Sequence, residues 1–184
     1  MSYPINLNNR GGREMERKGI ITFQGGGLTL LGSEVKTGDK APDFTVLDNG
    51  LAPVSLMKDF KGKLKVISVT PSLDTPVCDL QLKRFNEEAS KLGTDVVVLN
   101  IGMDLPFANG RFCSAFGIDK VKTLSDHRDA SFGLAYGVLI KELRLLTRAV
   151  FIIDKNDIVK YREIVPEITS HPDYDKALDA AMKS

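Results

Sequence analysis

The first of two cysteines stands where a negatively charged sulfur would be stabilised. Cys78 ends the segment PSLDTPVC (71–78), which follows an apolar run. Thr75 is a good helix N-cap and Pro76 suits the first helical position, so Cys78 is predicted to lie in the first turn. Backbone N–H groups without helical partners and the positive end of the helix dipole there favour the thiolate. Cys78 is therefore either a reactive thiolate or an ordinary core residue.

The second cysteine and an arginine complete the set of residues with possible redox chemistry. Cys113 lies 35 residues after Cys78, a spacing that excludes a Cys-x-x-Cys motif. Attack of a thiolate on an oxygen–oxygen bond also needs donors for the departing oxyanion, such as the Thr75 hydroxyl and a fixed guanidinium. Arg148 directly precedes an apolar run that predicts a buried strand, a position where a charged side chain is unusual unless it is paired. The alternative for Arg148 is a surface salt bridge, and the alternative for Cys113 is a small buried residue.

Hydrophobic periodicity predicts the elements that must position these residues. Strands and helices alternate and end in a hairpin and a helix, which indicates an α/β fold with a mixed sheet. The predicted elements are a β-hairpin (20–31), strands (43–47, 64–69 and 96–101), helices (76–92, 109–116 and 131–136), a second hairpin (149–164) and a final helix (173–182). Residues 1–18 are predicted to form a flexible tail and residues 19–184 a single domain.

Composition excludes several classes of function. The 184 residues carry a formal net charge of +1, which argues against nucleic-acid binding. Apolar runs are strand-sized, so no membrane span is expected. The polar start resembles no export signal, and a cytoplasmic location is expected. Two cysteines and two histidines without metal-binding spacing predict no metal site.

Several motifs, in order along the chain, resemble those of the peroxiredoxins. The Pro71-x-x-x-Thr75-x-x-Cys78 pattern is similar to their active-site signature, and DLPFANGRFC (104–113) is similar to the resolving-cysteine segment of the bacterial thiol peroxidases. RAVFIID (148–154) and ITSHPDY (168–174) match further family segments. The resemblance covers the chain from about residue 19 onward and implies a thioredoxin-like peroxiredoxin fold with an N-terminal β-hairpin.

The resemblance also implies a role for each matching residue. Cys78 would be the peroxidatic cysteine, Thr75 would hydrogen-bond thiolate and substrate, and Pro71 would shield the site from water. Arg148 would direct its guanidinium at the sulfur and the peroxide, while Cys113 would resolve the sulfenic acid through an intramolecular disulfide. The implied activity is reduction of hydrogen peroxide and alkyl hydroperoxides by a cytoplasmic homodimer that uses thioredoxin and no metal, haem or flavin.

Two other functions compete with this hypothesis. A non-enzymatic redox sensor could use the same disulfide to change shape, although Thr75 and Arg148 would then have no oxyanion to stabilise. A cysteine hydrolase would need a histidine base near the nucleophile. His127 and His171 lie in predicted loops, where solvated side chains are the simpler interpretation. Arg111 and Arg128 are weaker candidates for substrate contact than for solvated ion pairs.

Overall fold

The protein was analysed as a computed structural model that describes residues 15–89 and 92–184. The strands are β1 (Glu16–Phe23), β2 (Gly26–Leu31), β3 (Thr45–Leu47), β4 (Pro53–Ser55), β5 (Leu64–Val69), β6 (Val96–Gly102), β7 (Val121–Ser125), β8 (Leu139–Ile140), β9 (Ala149–Ile153) and β10 (Val159–Ile164). The helices are α1 (Leu56–Asp59), α2 (Pro76–Ala89), α3 (Pro106–Phe116), α4 (Ser131–Ala135) and α5 (Tyr174–Met182).

A seven-stranded mixed sheet forms the centre of the fold, with the strand order β10-β9-β5-β6-β7-β3-β4. Every residue of β5 and β9 is buried, which explains why both strands are nearly continuous apolar runs. Side chains of α2 and α5, including Leu82, Phe85 and Leu178, pack with one set of strand residues. Phe132 and Tyr136 pack with another set. The central strands are therefore covered by two hydrophobic clusters.

Strand direction brings the distant parts of the candidate site to one edge of the sheet. β5 runs parallel to β6, so both strands end at that edge. β9 runs antiparallel to β5, and its first residue, Ala149, pairs with the last residue of β5, Val69. The loop that follows β5, the loop that follows β6 and the residue that precedes β9 therefore meet there, although they are far apart in sequence.

The two predicted hairpins, the strand at 64–69 and the final helix are confirmed. Strand β1 begins at Glu16, so the last residues of the predicted 1–18 tail pair with β2, while residues 1–14 lie outside the described part. The helix predicted to start at residue 109 begins earlier, at Pro106, because proline suits the first helical position. The sequence analysis missed β4, α1, β7 and β8.

The second, smaller sheet consists of β1, β2 and β8, in that order. The carboxylate of Glu167 ties its hairpin to the main body: it accepts hydrogen bonds from the Thr22 hydroxyl at 2.8 Å and from the backbone N–H groups of Gln24 and Gly25 at 3.2 Å. Among the described residues, no helix combines the length and apolar character needed to cross a bilayer.

Candidate active site

Cys78 lies in the first turn of α2, as its position after Thr75 and Pro76 predicts. The helix begins at Pro76, and its first backbone bond runs from the N–H of Asp79 to the carbonyl of Thr75 at 3.0 Å. Cys78 is the third helical residue and is 0% exposed. Neighbouring atoms therefore cover the sulfur in this arrangement.

Arg148 is the partner of this sulfur. Its Nη2 donates to Cys78 Sγ at 3.3 Å, its Nη1 to Gln81 Oε1 at 2.6 Å, and its Nε to the carbonyl of Ile168 at 3.0 Å. The residue is 2% exposed, so the surface salt bridge considered for it is wrong. With each nitrogen engaged, the guanidinium is a fixed cation beside the sulfur, and a nearby cation favours the thiolate.

A buried polar network supports the arginine from behind. Gln81 Nε2 donates to Ser68 Oγ at 2.8 Å, and Ser68 Oγ donates to Asn100 Oδ1 at 3.1 Å. Asn100 Nδ2 then donates to Thr70 Oγ1 at 3.1 Å. All four residues are buried, and satisfied buried networks hold their members in one arrangement.

This network was not predicted, although polar residues in the sequence indicate it. Ser68 and Asn100 are polar residues within strands whose other buried positions are mostly apolar. Gln81 lies three residues after Cys78, a separation that puts both side chains on one face of a helix. A buried polar residue needs a hydrogen-bond partner, so three such residues leading to one edge of the sheet indicate a network.

Thr75 and Pro71 occupy the loop between β5 and α2. The side chain of Thr75 is exposed, and its hydroxyl donates to the carbonyl of Ser72 at 3.0 Å. Contact of this hydroxyl with the thiolate or substrate therefore stays a prediction. Pro71 is buried, which is compatible with the predicted shielding of the site, but its effect on water also stays a prediction.

Cys113 lies on α3 in a different environment. It is half-buried, and its Sγ lies 3.3 Å from Thr123 Oγ1. Asn49 Nδ2 donates to the same Thr123 oxygen at 3.0 Å, and the Thr123 hydroxyl has two acceptors within reach, Asn49 Oδ1 at 3.3 Å and the Cys113 sulfur. Both cysteines are free thiols, so the structure corresponds to the reduced protein.

An aromatic residue from the start of α5 borders the site. Tyr174 packs edge-on against Phe85 of α2, with 5.7 Å between ring centroids. Burial raises the pKa of Tyr174 to about 12, and the charges of Arg148 and Cys78 act on the same group in opposite directions. The phenol therefore stays protonated over the physiological range and is a neutral neighbour of Arg148 and Cys78.

The remaining polar candidates are occupied elsewhere. His127 Nδ1 lies 2.8 Å from Ser125 Oγ, and His171 Nδ1 lies 2.8 Å from the Tyr174 hydroxyl. Neither pairing supplies a base to Cys78, so the hydrolase hypothesis gains no support. Arg128 forms an exposed ion pair with Asp129 at 2.7 Å, as expected. Arg111 is exposed on α3.

Comparison with known proteins identifies the family of the chain. Residues 36–178 match the redoxin family model. Over 161 residues the chain is 63% identical to a thiol peroxidase of Bacillus subtilis, a match that covers 88% of this chain and 95% of the relative. The chain belongs to the thiol peroxidases of the redoxin family. It is also 62% identical to a thiol peroxidase of Halalkalibacterium halodurans, with 88% of this chain and 96% of the relative covered.

One solved structure shares the fold of this chain. A peroxiredoxin-like protein from Aquifex aeolicus is 40% identical and superposes with a TM-score of 0.83. The match covers 94% of this chain and 99% of the other. The predicted thioredoxin-like peroxiredoxin fold with an N-terminal hairpin is thereby confirmed, and so is the prediction that the chain is a peroxidase enzyme.

Proposed function

We propose that this thiol peroxidase reduces hydrogen peroxide and alkyl hydroperoxides through Cys78, and that Cys113 resolves the oxidised sulfur within the same chain. The observation that best supports the proposal is the 3.3 Å contact between Arg148 Nη2 and Cys78 Sγ at a buried site. A buried cation is costly unless it is paired, so its presence beside a sulfur favours a negatively charged sulfur.

The first step is a nucleophilic displacement on the peroxide. The Cys78 thiolate attacks the oxygen distal to the substituent R, an S–O bond forms, and the O–O bond breaks with both its electrons on the leaving oxygen. Cys78 becomes a sulfenic acid, and the leaving alkoxide or hydroxide takes a proton to give alcohol or water. Arg148 stabilises the charge that develops on the leaving oxygen, which is the role of preorganised donors in such reactions.

Thr75 and Pro71 complete the proposed substrate site. The exposed Thr75 side chain would turn its hydroxyl from the Ser72 carbonyl towards the peroxide. Pro71 would keep water from the sulfur, because it is a buried residue of the same loop. We assign both residues to substrate binding together with Arg148.

The second step joins the two cysteines. The Cys113 thiolate attacks the sulfenic sulfur of Cys78, a disulfide forms, and the hydroxyl group leaves as water after taking a proton. The Cα atoms of a disulfide lie within about 7 Å of each other. Cys78 Sγ hydrogen-bonds to Arg148 and Cys113 Sγ lies against Thr123, so both contacts must break before the bridge forms, and we propose that at least one of the two helices unwinds locally.

The proposed reductant is thioredoxin, whose dithiol would exchange with the Cys78–Cys113 disulfide and return both thiols. A thioredoxin-dependent cycle fits an enzyme of the cytoplasm. We also propose a homodimer, because a second chain could cover large apolar side chains that are exposed on α2 and α3 of the single chain, namely Leu80, Phe107 and Phe116. Light scattering on the eluted peak of a sizing column tests the dimer.

The experiment that tests the function is a coupled assay with thioredoxin, thioredoxin reductase and NADPH, with hydrogen peroxide or an alkyl hydroperoxide as substrate. The wild type is expected to consume NADPH only when peroxide is present, and Cys78→Ser to lose that consumption. Cys113→Ser is the matched control, because it removes the other thiol. It is expected to complete one oxidation without efficient turnover.

The outcomes separate the two parts of the proposal. Full peroxide-dependent NADPH consumption by Cys78→Ser would reject Cys78 as the reacting residue. Sustained turnover by Cys113→Ser would show that another thiol resolves the sulfenic acid. Intact mass after one equivalent of peroxide gives an independent check, since a Cys78–Cys113 bridge lowers the mass by two hydrogen atoms and leaves no free thiol.

A further inference from the structure

Asp104 connects the loop that carries Cys78 to the segment that leads into the Cys113 helix. It follows β6 and precedes the first residue of α3, Pro106. Its Oδ1 accepts a hydrogen bond from Ser72 Oγ at 2.7 Å, and its Oδ2 accepts one from the backbone N–H of Leu73 at 2.8 Å. Both carboxylate oxygens therefore hold the loop between β5 and α2.

The backbone of Asp104 is anchored on its other side to the end of β7. Its carbonyl accepts a hydrogen bond from the Ser125 hydroxyl, which is 0% exposed. Two residues earlier, at the end of β6, the carbonyl of Gly102 accepts a hydrogen bond from the N–H of Asp126 at 2.9 Å. Because the anchor is part of the sheet, the carboxylate holds the Cys78 loop against a rigid support.

The held residue, Ser72, organises the turn that enters α2. Its carbonyl accepts from the N–H of Thr75 at 3.3 Å and from the Thr75 hydroxyl at 3.0 Å, and its own hydroxyl accepts from the N–H of Asp74 at 3.3 Å. The neighbouring Leu73 is 4% exposed and packs in the hydrophobic cluster beneath α2. A displacement of Ser72 would therefore move Thr75 and the start of the helix that carries Cys78.

We propose that Asp104 is a positioning residue that holds the Cys78 loop closed while the thiolate meets peroxide and must release it before the disulfide forms. This inference rests on the proposed function, because it assigns opposite effects to its two chemical steps. The closed loop keeps Cys78 next to Arg148, which favours oxidation. The same closed loop holds the Cys78 sulfur in its contact with Arg148, which must break before the sulfur can join Cys113, and so it slows resolution.

Asp104→Asn tests the inference with little change in size. The asparagine oxygen can still accept from Ser72, but its amide N–H groups then face the N–H of Leu73, so one of the two hydrogen bonds is lost. We expect the rate constant for Cys78 oxidation by hydrogen peroxide to fall about tenfold, the effect of one charge-assisted hydrogen bond. The rate of disulfide formation from the sulfenic acid is expected to rise by roughly the same factor.

Rapid-quench mass spectrometry measures both rates in one experiment. Reduced protein is mixed with hydrogen peroxide, and samples are quenched with dimedone and an alkylating reagent, so that thiol, sulfenic acid and disulfide have distinct masses. Asp119→Asn, which removes an exposed carboxylate beyond the other end of α3, is the matched control. It is expected to leave both rates at the wild-type values.

The opposite signs of the two effects distinguish positioning from a general loss of structure. Unchanged rates in Asp104→Asn, or equal slowing of both steps, overturn the inference while a normally cycling wild type leaves the proposed function intact. Absence of the Cys78–Cys113 disulfide in the wild-type sample instead overturns the proposed function and the release step with it. If Asp104→Asn fails to fold by circular dichroism, Ser72→Ala decides the question, with the same pair of opposite changes expected and the same outcomes overturning it.

Discussion

Cys78 and Cys113 lie on two helices of the same domain, and their sulfur atoms have different surroundings. Cys78 is 0% exposed in the first turn of α2, with its sulfur 3.3 Å from the guanidinium of Arg148. Cys113 lies in the second half of α3, is half-buried, and has its sulfur 3.3 Å from the neutral hydroxyl of Thr123. A fixed cation can stabilise both a thiolate and a departing oxyanion, whereas one hydroxyl is a single weak donor.

The two sites also differ in how firmly their partners are held. Arg148 is fixed by Gln81 and by the carbonyl of Ile168, and the network continues into the sheet. Thr123 is buried on β7, and its hydroxyl pairs with the side chain of Asn49, a half-buried loop residue. Preorganised groups act on a transition state without rearranging first, so the comparison supports the peroxide chemistry proposed for Cys78. A less constrained thiol suits the resolving role proposed for Cys113.

The largest expected effect comes from Arg148→Lys, which keeps a positive charge but loses the planar, three-way hydrogen bonding. We expect the rate constant for oxidation of Cys78 by hydrogen peroxide to fall by roughly 100-fold or more, as when one oxyanion donor is removed elsewhere. Stopped-flow or rapid-quench measurement on reduced protein gives this constant directly. The control is Arg128→Lys, in an exposed ion pair. A decrease smaller than about threefold would mean that the guanidinium does not act on the reacting oxygen.

Gln81→Met should have the next largest effect, because it removes the acceptor of Arg148 Nη1 and leaves a buried charged N–H unpaired. We expect the free energy of unfolding to decrease by about 2 kcal/mol and the oxidation rate constant to fall about tenfold. Urea unfolding and rapid-quench kinetics measure the two quantities. Gln24→Met, in the exposed hairpin turn, is the control. Wild-type kinetics in Gln81→Met would show that Arg148 stays in place without this support.

Thr123→Val probes the other cysteine. The Thr123 hydroxyl is expected to donate to the Cys113 sulfur and so to stabilise the thiolate that attacks the sulfenic acid. Its loss should slow disulfide formation by about threefold to tenfold while the oxidation of Cys78 stays unchanged. Rapid-quench mass spectrometry resolves the two steps, and Thr45→Val on the exposed side of β3 is the control. Slower oxidation of Cys78 in Thr123→Val would break the proposed separation of the two sites.

The smallest effect is expected from Glu167→Gln, because the Glu167 carboxylate holds the N-terminal hairpin rather than Cys78 or Arg148. Hydrogen bonds from the Thr169 and Thr22 hydroxyls and from backbone N–H groups lower the pKa of Glu167 to about 2, from about 4.5. A carboxyl with a lowered pKa in the folded state adds stability above its unfolded pKa, and this stability is lost as the pH falls from about 4.5 towards 2.

The measurement for Glu167→Gln is therefore urea unfolding at two pH values. At pH 6 the wild type should have a higher urea midpoint of unfolding than the variant. At pH 3 the difference between the two midpoints should be smaller. Glu34→Gln is the control. An equal gap at both pH values would contradict the origin of the lowered pKa. Oxidation of Cys78 at pH 7 is expected to change little, because Ile168 still presents its carbonyl to Arg148.

The sequence predicted local features better than contacts between distant segments. β5 and the start of α2 were predicted at the observed residues, because a buried apolar run and a Thr-Pro pair are local signals. Strand β7 was missed because it is short and ends in the polar segment that continues through Asp126. The tail boundary was placed too late, since Glu16 and its neighbours are polar residues whose pairing with β2 cannot be read from composition.

The candidate site divides in the same way. The position of Cys78 in the first helical turn follows from two neighbouring residues, whereas the contact with Arg148 joins residues that are 70 positions apart. Only the family resemblance predicted that contact. Asp104 lies in the motif DLPFANGRFC (104–113). Its hydrogen bond with Ser72 was not predicted, because it depends on two loops that meet at the edge of the sheet. Hydrogen bonds of this kind arise from topology, and no spacing in the sequence encodes them.

Relative reactivity of the two thiols tests the account most directly. The second-order rate constant with hydrogen peroxide is measured for Cys78 in the Cys113→Ser variant and for Cys113 in the Cys78→Ser variant, under the same conditions. A cation, a helix N-terminus and a fixed oxyanion donor together predict that Cys78 reacts at least about 1,000-fold faster. Rate constants within about tenfold of each other would contradict the conclusion that the surroundings of Cys78 are built for peroxide.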